Sequence, residues 1–252
     1  KFMIEVMVNG CNGKMGELVC ELVDKTENMV LKFGTDKIDT GYCTFPVYTN
    51  LSQVPEKPDV IIDFSVPIAT FEILEYAKQN NIPVVIATTG FTEEEETKIK
   101  DYANYIPVFK SANMSFSINM FQKLLREIAP KLKDTDIEII ETHHNRKIDS
   151  PSGTAQMLAD TINEALGGDY KCEYNRHDKH EKRGKKEIGM TSIRGGNIVG
   201  EHTVKFFGES ETFEIKHTTY SRSVFAEGAI KAAKFIVGKP KGLYNMDNLV
   251  ND

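Results

Sequence analysis

The sequence contains no uninterrupted apolar stretch near the roughly 20 residues that a bilayer-crossing helix needs. Its start shows no apolar leader followed by small residues. Neither a membrane protein nor a secreted one is expected, and a cytoplasmic location is. Positive charge is in deficit, 31 Lys and Arg against 37 Asp and Glu, for a formal net charge of −6. That balance argues against general attraction to nucleic acid or to anionic lipid. Cysteine is sparse, four in 252 residues. Cys11, Cys20, Cys43 and Cys172 make neither a C-x-x-C pair nor a disulfide scaffold, so free thiols in a reducing compartment are expected. Internal repeats and low-complexity tracts are missing too. Lys1 and Phe2 precede Met3 and are expected to be extraneous to it.

What is present suits a folded chain: 40% hydrophobic and 27% charged residues lie in the ordinary globular range. The length fits one large domain or two of modest size. Ile4 to Val8, Val30 to Gly34, Val60 to Phe64 and Val84 to Ala87 are apolar runs of strand length. Helix-patterned stretches run from Met15 to Val23 and from Ile68 to Lys78, the second with Pro67 suited to its first turn. Thr92 followed by Glu93 to Glu96 reads as a third helix start, with acids at the positive end of its dipole. Strands alternating with helices predict an α/β unit with a parallel sheet covered on both faces.

Beyond Asn113 the pattern changes. Helical stretches from Ile118 to Leu132 and Gly153 to Leu166 flank a β run, Ile137 to Glu141. Three extended stretches follow, Ile188 to Ile193, Ile198 to Phe207 and Thr212 to Thr218, joined by short turns such as Gly195-Gly196-Asn197. They predict an antiparallel or mixed sheet in a second, α+β domain. Phe206 and Phe207 are read as sheet packing or a subunit contact. The charged run Arg176 to Lys186 is read as a mobile solvated loop. Val224 to Val237 is apolar at helical spacing and is expected to dock back on the first domain.

Gly10-Cys11-Asn12-Gly13-Lys14-Met15-Gly16 lies between the first strand and the first helix. There a dinucleotide fold of the Rossmann type needs glycines for a sharp turn and N–H groups facing a pyrophosphate. The spacing departs from G-x-G-x-x-G, with Asn12 at the middle glycine, and a plain tight turn is the competing reading. Asp36, at the end of the second strand, is placed to accept from ribose hydroxyls, while Lys37 suits a 2′-phosphate. NADH and NADPH both remain open, as does a reading of the two residues as solvated charges.

A second constellation is Glu141-Thr142-His143-His144-Asn145-Arg146-Lys147, followed by the helix start Ser150-Pro151-Ser152-Gly153-Thr154. Adjacent histidines on extended backbone point to opposite sides, so no metal site is expected. Cationic and proton-carrying groups beside the N–H donors at Gly153 and Thr154 suit a small carboxylate ligand. A charged surface turn with an ordinary capped helix is the alternative.

These blocks together make the sequence recognisable. H-H-N-R-K-I-D-S-P-S-G-T-A from His143, the N-G-C-N-G-K-M-G turn, Asp63-Phe64-Ser65, Ala87-Thr88-Thr89-Gly90-Phe91, Ala112-Asn113-Met114-Ser115 and Val199-Gly200-Glu201-His202-Thr203 resemble the dihydrodipicolinate reductases. The resemblance runs over almost the whole chain. It implies reduction of a cyclic unsaturated dicarboxylate by NADH or NADPH, in the pathway to diaminopimelate and lysine. It further implies that Gly10, Cys11, Asn12, Gly13, Lys14 and Met15 hold the pyrophosphate and that Asp36 and Lys37 flank the adenosine ribose. Phe64, Ala87, Thr88, Thr89, Ala112, Asn113, Met114 and Ser115 would line the cofactor toward the nicotinamide. His143 matches a proton donor and Lys147 a second acid, while His144, Gly153 and Thr154 match contacts to substrate carboxylate.

Two positions depart from the family pattern, Ala87 where glycine is usual and Val66 where some members carry arginine; both touch the cofactor side. Residues 1–113 and 222–252 are expected to form the dinucleotide domain and 114–221 a substrate-binding and assembly domain. The resemblance implies a homotetramer. Rival readings are a semialdehyde or sugar dehydrogenase on the same fold, and a nucleotide-sensing module without turnover.

Overall fold

A computed structural model describes residues 3–41, 43–177 and 179–252. Lys1 and Phe2 therefore lie outside the described residues. The chain divides into two compact units, one of Lys1–Phe116 with Ser223–Asp252 and the other of Ser117–Arg222.

The first unit begins β1 (Ile4–Asn9), α1 (Lys14–Asp24), β2 (Met29–Thr35), β3 (Val47–Tyr48), β4 (Val60–Asp63), α2 (Pro67–Asn80), β5 (Val84–Ile86), α3 (Glu93–Tyr102) and β6 (Pro107–Lys110). Pro67 takes the first position of α2, and Thr92 caps α3 in a reciprocal capping box with Glu95. The second unit carries α4 (Phe116–Ile128, entered from the first), β7 (Asp136–His143), α5 (Gly153–Ala165), β8 (Lys171–Glu173), β9 (Glu187–Arg194), β10 (Gly200–Phe207) and β11 (Thr212–Thr219). Pro130 converts the end of the stretch expected to continue α4 into a 3₁₀ turn, Ala129–Leu132. The chain then returns to the first unit with α6 (Ser223–Ile236), β12 (Gly242–Tyr244) and α7 (Met246–Val250).

The first sheet has seven strands in the order β12-β6-β5-β4-β1-β2-β3, every pair parallel. Its strands read as continuous apolar runs because both faces are buried. Val6, Val8, Val60, Ile62, Val85 and Phe109 point into a core with α1 and α6, whose Ala226, Ala229, Ala232 and Ala233 lie against it. The alternate residues Met7, Ile61, Val84, Ile86 and Val108 point into the opposite core, with Ile73, Leu74 and Ile99 of α2 and α3. Chain order reverses between β1 and β4, the switch point at which such sheets open a crevice.

The second sheet is mixed, in the order β11-β10-β7-β9-β8. β7 pairs parallel with β9 and antiparallel with β10. The turn Gly195-Gly196-Asn197 therefore joins two strands that are not neighbours, with β7 between them. Its backbone crosses the end of β7: Gly195 N–H donates to His143 O at 2.9 Å, and His144 N–H to Ile198 O at 2.7 Å. The hairpin that the spacing invites does not form, because β7 takes the edge each strand would offer the other.

Arg176 to Lys186 is exposed at most of its described residues, as the charged run suggests, but is tied to the sheet through Arg183; Asp178 within it lies outside the described residues. Arg183 donates to the carbonyls of Ile137 and Glu187 at 2.6 and 2.7 Å and pairs with Glu138 and Asp136. No helix among the described residues is long and apolar enough to cross a membrane.

Candidate active site

The first unit gathers its predicted residues at the carboxyl ends of neighbouring strands. Gly10 to Met15 follow β1, Asp36 and Lys37 follow β2, Phe64 follows β4, Ala87 to Thr89 follow β5, and Ala112 to Ser115 follow β6. A groove of about 880 Å³ runs past Gly10, Asn12, Gly13, Asp36, Lys37, Phe64, Ser65 and Val66. Gly10 turns with φ +76°, and a Cβ there would lie 2.6 Å from Phe64 O.

Much of the glycine turn is internally bonded. Gly10 and Cys11 N–H donate to Thr35 O, Gly13 N–H to Gly10 O, and Asn12 N–H to Asp36 Oδ2 at 2.9 Å. Among the described residues no side chain caps α1, so the N–H groups presented to an anion are those of its first turn, from Lys14 onward. Asp36 thus closes the turn and also borders the groove; its Oδ1 accepts from Lys37 N–H at 2.7 Å. Lys37 is exposed.

Two residues assigned to the cofactor put their side chains elsewhere. Cys11 is 1% exposed in the core, where burial and then nearby Asp36 push its thiol up to about 12; it is no nucleophile. Met114 is likewise buried in that core. Only their backbone can meet a ligand. The uncapped helix start, the groove and the acid at its rim fit a bound dinucleotide.

The sequence reading missed Asp63 as a working part. It is fully buried at the end of β4, with Oδ1 accepting from Asn9 Nδ2 (2.7 Å) and Ser65 Oγ (2.5 Å). Its Oδ2 accepts from Thr70 Oγ1 (2.6 Å) and Thr88 Oγ1 (2.9 Å).

In the second unit one face of the sheet changes character along β7. Ile137 and Ile139 lie in the apolar core with Ile188, Met190, Val204 and Phe206. The next residues on that face are Glu141 and His143, with register partners Ser192 and Arg194 on β9 and, opposite Glu141, His202 on β10. Glu141 is fully buried and doubly held by Arg194, whose Nη2 and Nη1 donate to Oε1 and Oε2 at 2.7 and 2.8 Å. His143 Nδ1 lies 2.5 Å from Glu141 Oε2, and Ser152 N–H donates to Oε1 at 3.1 Å. Ser152 caps α5 through Ala155 N–H, and its Oγ lies 3.0 Å from His202 Nε2.

The charges follow from this packing. Burial would raise the Glu141 carboxyl, but hydrogen bonds from Arg194, Ser192 and His143 outweigh it and hold the group at about 2. Burial pushes His143 below the ordinary imidazole value, Glu141 pulls the other way, and Lys147 and Arg194 add to the depression. His202 is driven down to about 4 by burial and by His143.

Lys147 pairs with Asp149 at 2.9 Å, with only a fifth of its side chain exposed. Gly153 and Thr154 are the first two residues of α5. His144 sits just past β7 with a buried Nδ1 that meets no partner among the described residues, an atom that a ligand's polar group can satisfy. Glu141, Arg194, Ser152 and His202 were not among the predicted site residues. Period-two spacing does place Glu141 and His143 on the face of Ile137 and Ile139, where a carboxylate is out of pattern.

Comparison with known proteins decides the family. Residues 4–114 match the family profile described as dihydrodipicolinate reductase, N-terminus, and residues 117–250 match its C-terminus counterpart. The chain belongs to the dihydrodipicolinate reductase family. Reductases of this family are oxidoreductases that use NADH or NADPH. The 4-hydroxy-tetrahydrodipicolinate reductase of Clostridium tetani is 47% identical over 250 residues, covering 99% of this chain and 98% of its own. That of Caldanaerobacter subterraneus subsp. tengcongensis is also 47% identical, over 248 residues and 98% of both chains. Among solved structures, the dipicolinate-bound dihydrodipicolinate reductase from Paenisporosarcina sp. TG-14 superposes with a TM-score of 0.82 at 29% identity, covering 98% of this chain and 99% of that one.

Proposed function

We propose that this chain reduces 4-hydroxy-tetrahydrodipicolinate to tetrahydrodipicolinate, with His143 as proton donor and Lys147 assisting. The observation that carries the reading is the polar end of the second sheet, where a buried, carboxylate-held imidazole stands beside a capped helix start. Bound NADH or NADPH supplies a hydride from C4 of its nicotinamide ring. The substrate's 4-hydroxyl leaves as water, which gives the conjugated imine, and that imine on accepting the hydride acquires an electron pair that must be quenched by a proton. His143 Nε2 gives that proton and is recharged from solvent. Since burial depresses this imidazole, the approach of a dianionic substrate is what draws it into its charged form. Lys147 exchanges Asp149 for a substrate carboxylate. His144, Gly153 and Thr154 complete the dicarboxylate receptor, and the first turn of α1 takes the pyrophosphate.

The first unit serves as dinucleotide domain and the second as substrate and assembly domain. A homotetramer and a cytoplasmic location accompany the family reading. Support for assembly comes from the other face of the second sheet, which carries Ile193 and Phe207 at 47% and 38% exposure.

Oxidation of NADH and of NADPH with freshly made product of dihydrodipicolinate synthase tests the function. The expected result is turnover that falls steeply in His143→Ala and Lys147→Ala while dinucleotide affinity holds. Wild-type turnover in both variants would remove these two roles, and absence of oxidation with either dinucleotide would remove the substrate.

A further inference from the structure

We propose that Glu141 is a positioning residue that fixes which nitrogen of His143 carries the transferable proton and ties that imidazole to the start of α5. The inference rests on the reading of His143 as proton donor and adds what makes that donor competent.

The Glu141 carboxylate is fully buried and saturated by protein donors. Oε1 receives Arg194 Nη2–H and Ser152 N–H, and Oε2 receives Arg194 Nη1–H and His143 Nδ1. An ionised carboxylate only accepts, so the 2.5 Å contact with Nδ1 requires the proton to sit on that nitrogen. Nε2 is left as the atom that takes up and releases a proton. Space has been kept around it: a Cβ on Gly200 would stand 3.1 Å from Nε2. A structural role alone would be met by an apolar residue continuing the Ile137–Ile139 stripe, at no desolvation cost.

The same carboxylate reaches the anion receptor. Ser152 gives its N–H to Glu141 and its Oγ to the cap of α5, and that Oγ also meets His202. Proton donor and helix start therefore share one anchor. The ionisable groups facing His143 are Glu141 and Lys147 from β7 and the segment after it, Arg194 from β9 and His202 from β10, with His217 of β11 beyond His202. Of these only Glu141 favours the charged imidazole.

The test reads the tautomer directly. ¹⁵N NMR of the imidazoles in the intact wild-type protein, above neutral pH, is expected to show His143 protonated on Nδ1; a neutral His143 protonated on Nε2 overturns the proposal without any variant. In Glu141→Gln the amide offers Nδ1 either a donor or a weaker acceptor, so the proton should move wholly or partly to Nε2. The limb on which kcat declines with rising pH should shift down by about one unit. kcat should drop roughly 100-fold, the scale of a positioned general acid, with dinucleotide Kd unchanged. A Glu141→Gln protein with the wild-type tautomer and pH limb would sink the positioning role. Undiminished turnover in His143→Gln would instead sink the donor assignment and leave the tautomer result intact, so the two failures are separable.

Discussion

A buried imidazole ties stability to pH, and His202 does so in a defined window. Its folded value of about 4 lies below the ordinary 6.5. Between those values the unfolded chain binds the additional proton, so the contribution is whole above about pH 6.5 and is lost as pH falls toward 4. The full span is worth up to roughly 3 kcal/mol. His143 and His217, also depressed by burial, act in the same direction. Glu141, held at about 2, adds a loss that begins only below its ordinary 4.5. Melting temperature should accordingly fall between pH 7 and pH 4.5, and His202→Gln should flatten part of that slope. An unchanged slope in thermal denaturation would assign the acid sensitivity to other groups.

This scale is also where the sequence was least legible. His143, His144 and Lys147 stand together in one short segment and could be singled out. Glu141 gains its meaning from Arg194, 53 positions later, and His202 from Ser152, 50 positions earlier. Strand register brings Arg194 and His202 to Glu141, the start of α5 brings Ser152 to His202, and no local pattern encodes either.

Among the elements, Asp63 joins the ends of β1, β4 and β5 to α2 through four neutral donors. Removing it takes the carboxylate acceptor from buried Asn9, Thr70 and Thr88 and from Ser65 at the wall of the groove. Asp63→Ala is expected to cost roughly 3 kcal/mol in urea denaturation. It should also raise KM for the dinucleotide several-fold while sparing KM for the dicarboxylate. Equal rises in both would show a general loosening instead. Element identity was the most legible level, because strand runs buried on both faces and helices opened by Pro67 and Thr92 carry local signals. The two-residue β3, three-residue β8 and β12, four-residue β6 and five-residue α7 escaped, being too short for periodicity to register. Neighbour order in the second sheet escaped for a different reason: the turn at Gly195 to Asn197 has hairpin length, yet β7 occupies the place a hairpin partner would take.

For the whole molecule, the alternation of apolar strands and helices up to Asn113 was enough to predict the doubly covered parallel sheet, and the later grammar a mixed one. The exposed face of that second sheet sets the prediction at this scale. Sedimentation equilibrium should give four times the chain mass. Ile193→Lys, placed on that face, should shift the population toward smaller species. A wild-type monomer would remove the tetramer from the proposal.

The backbone from Gly195 to Ile198 that crosses the end of β7 has a consequence for how the chain is made. The imidazole emerges from the ribosome some fifty residues before Arg194 and the crossing segment do, so a nascent or prematurely ended chain exposes an unanchored histidine and an unneutralised glutamate. Chemical competence at that imidazole arrives late in synthesis, with the strands that flank β7 on either side.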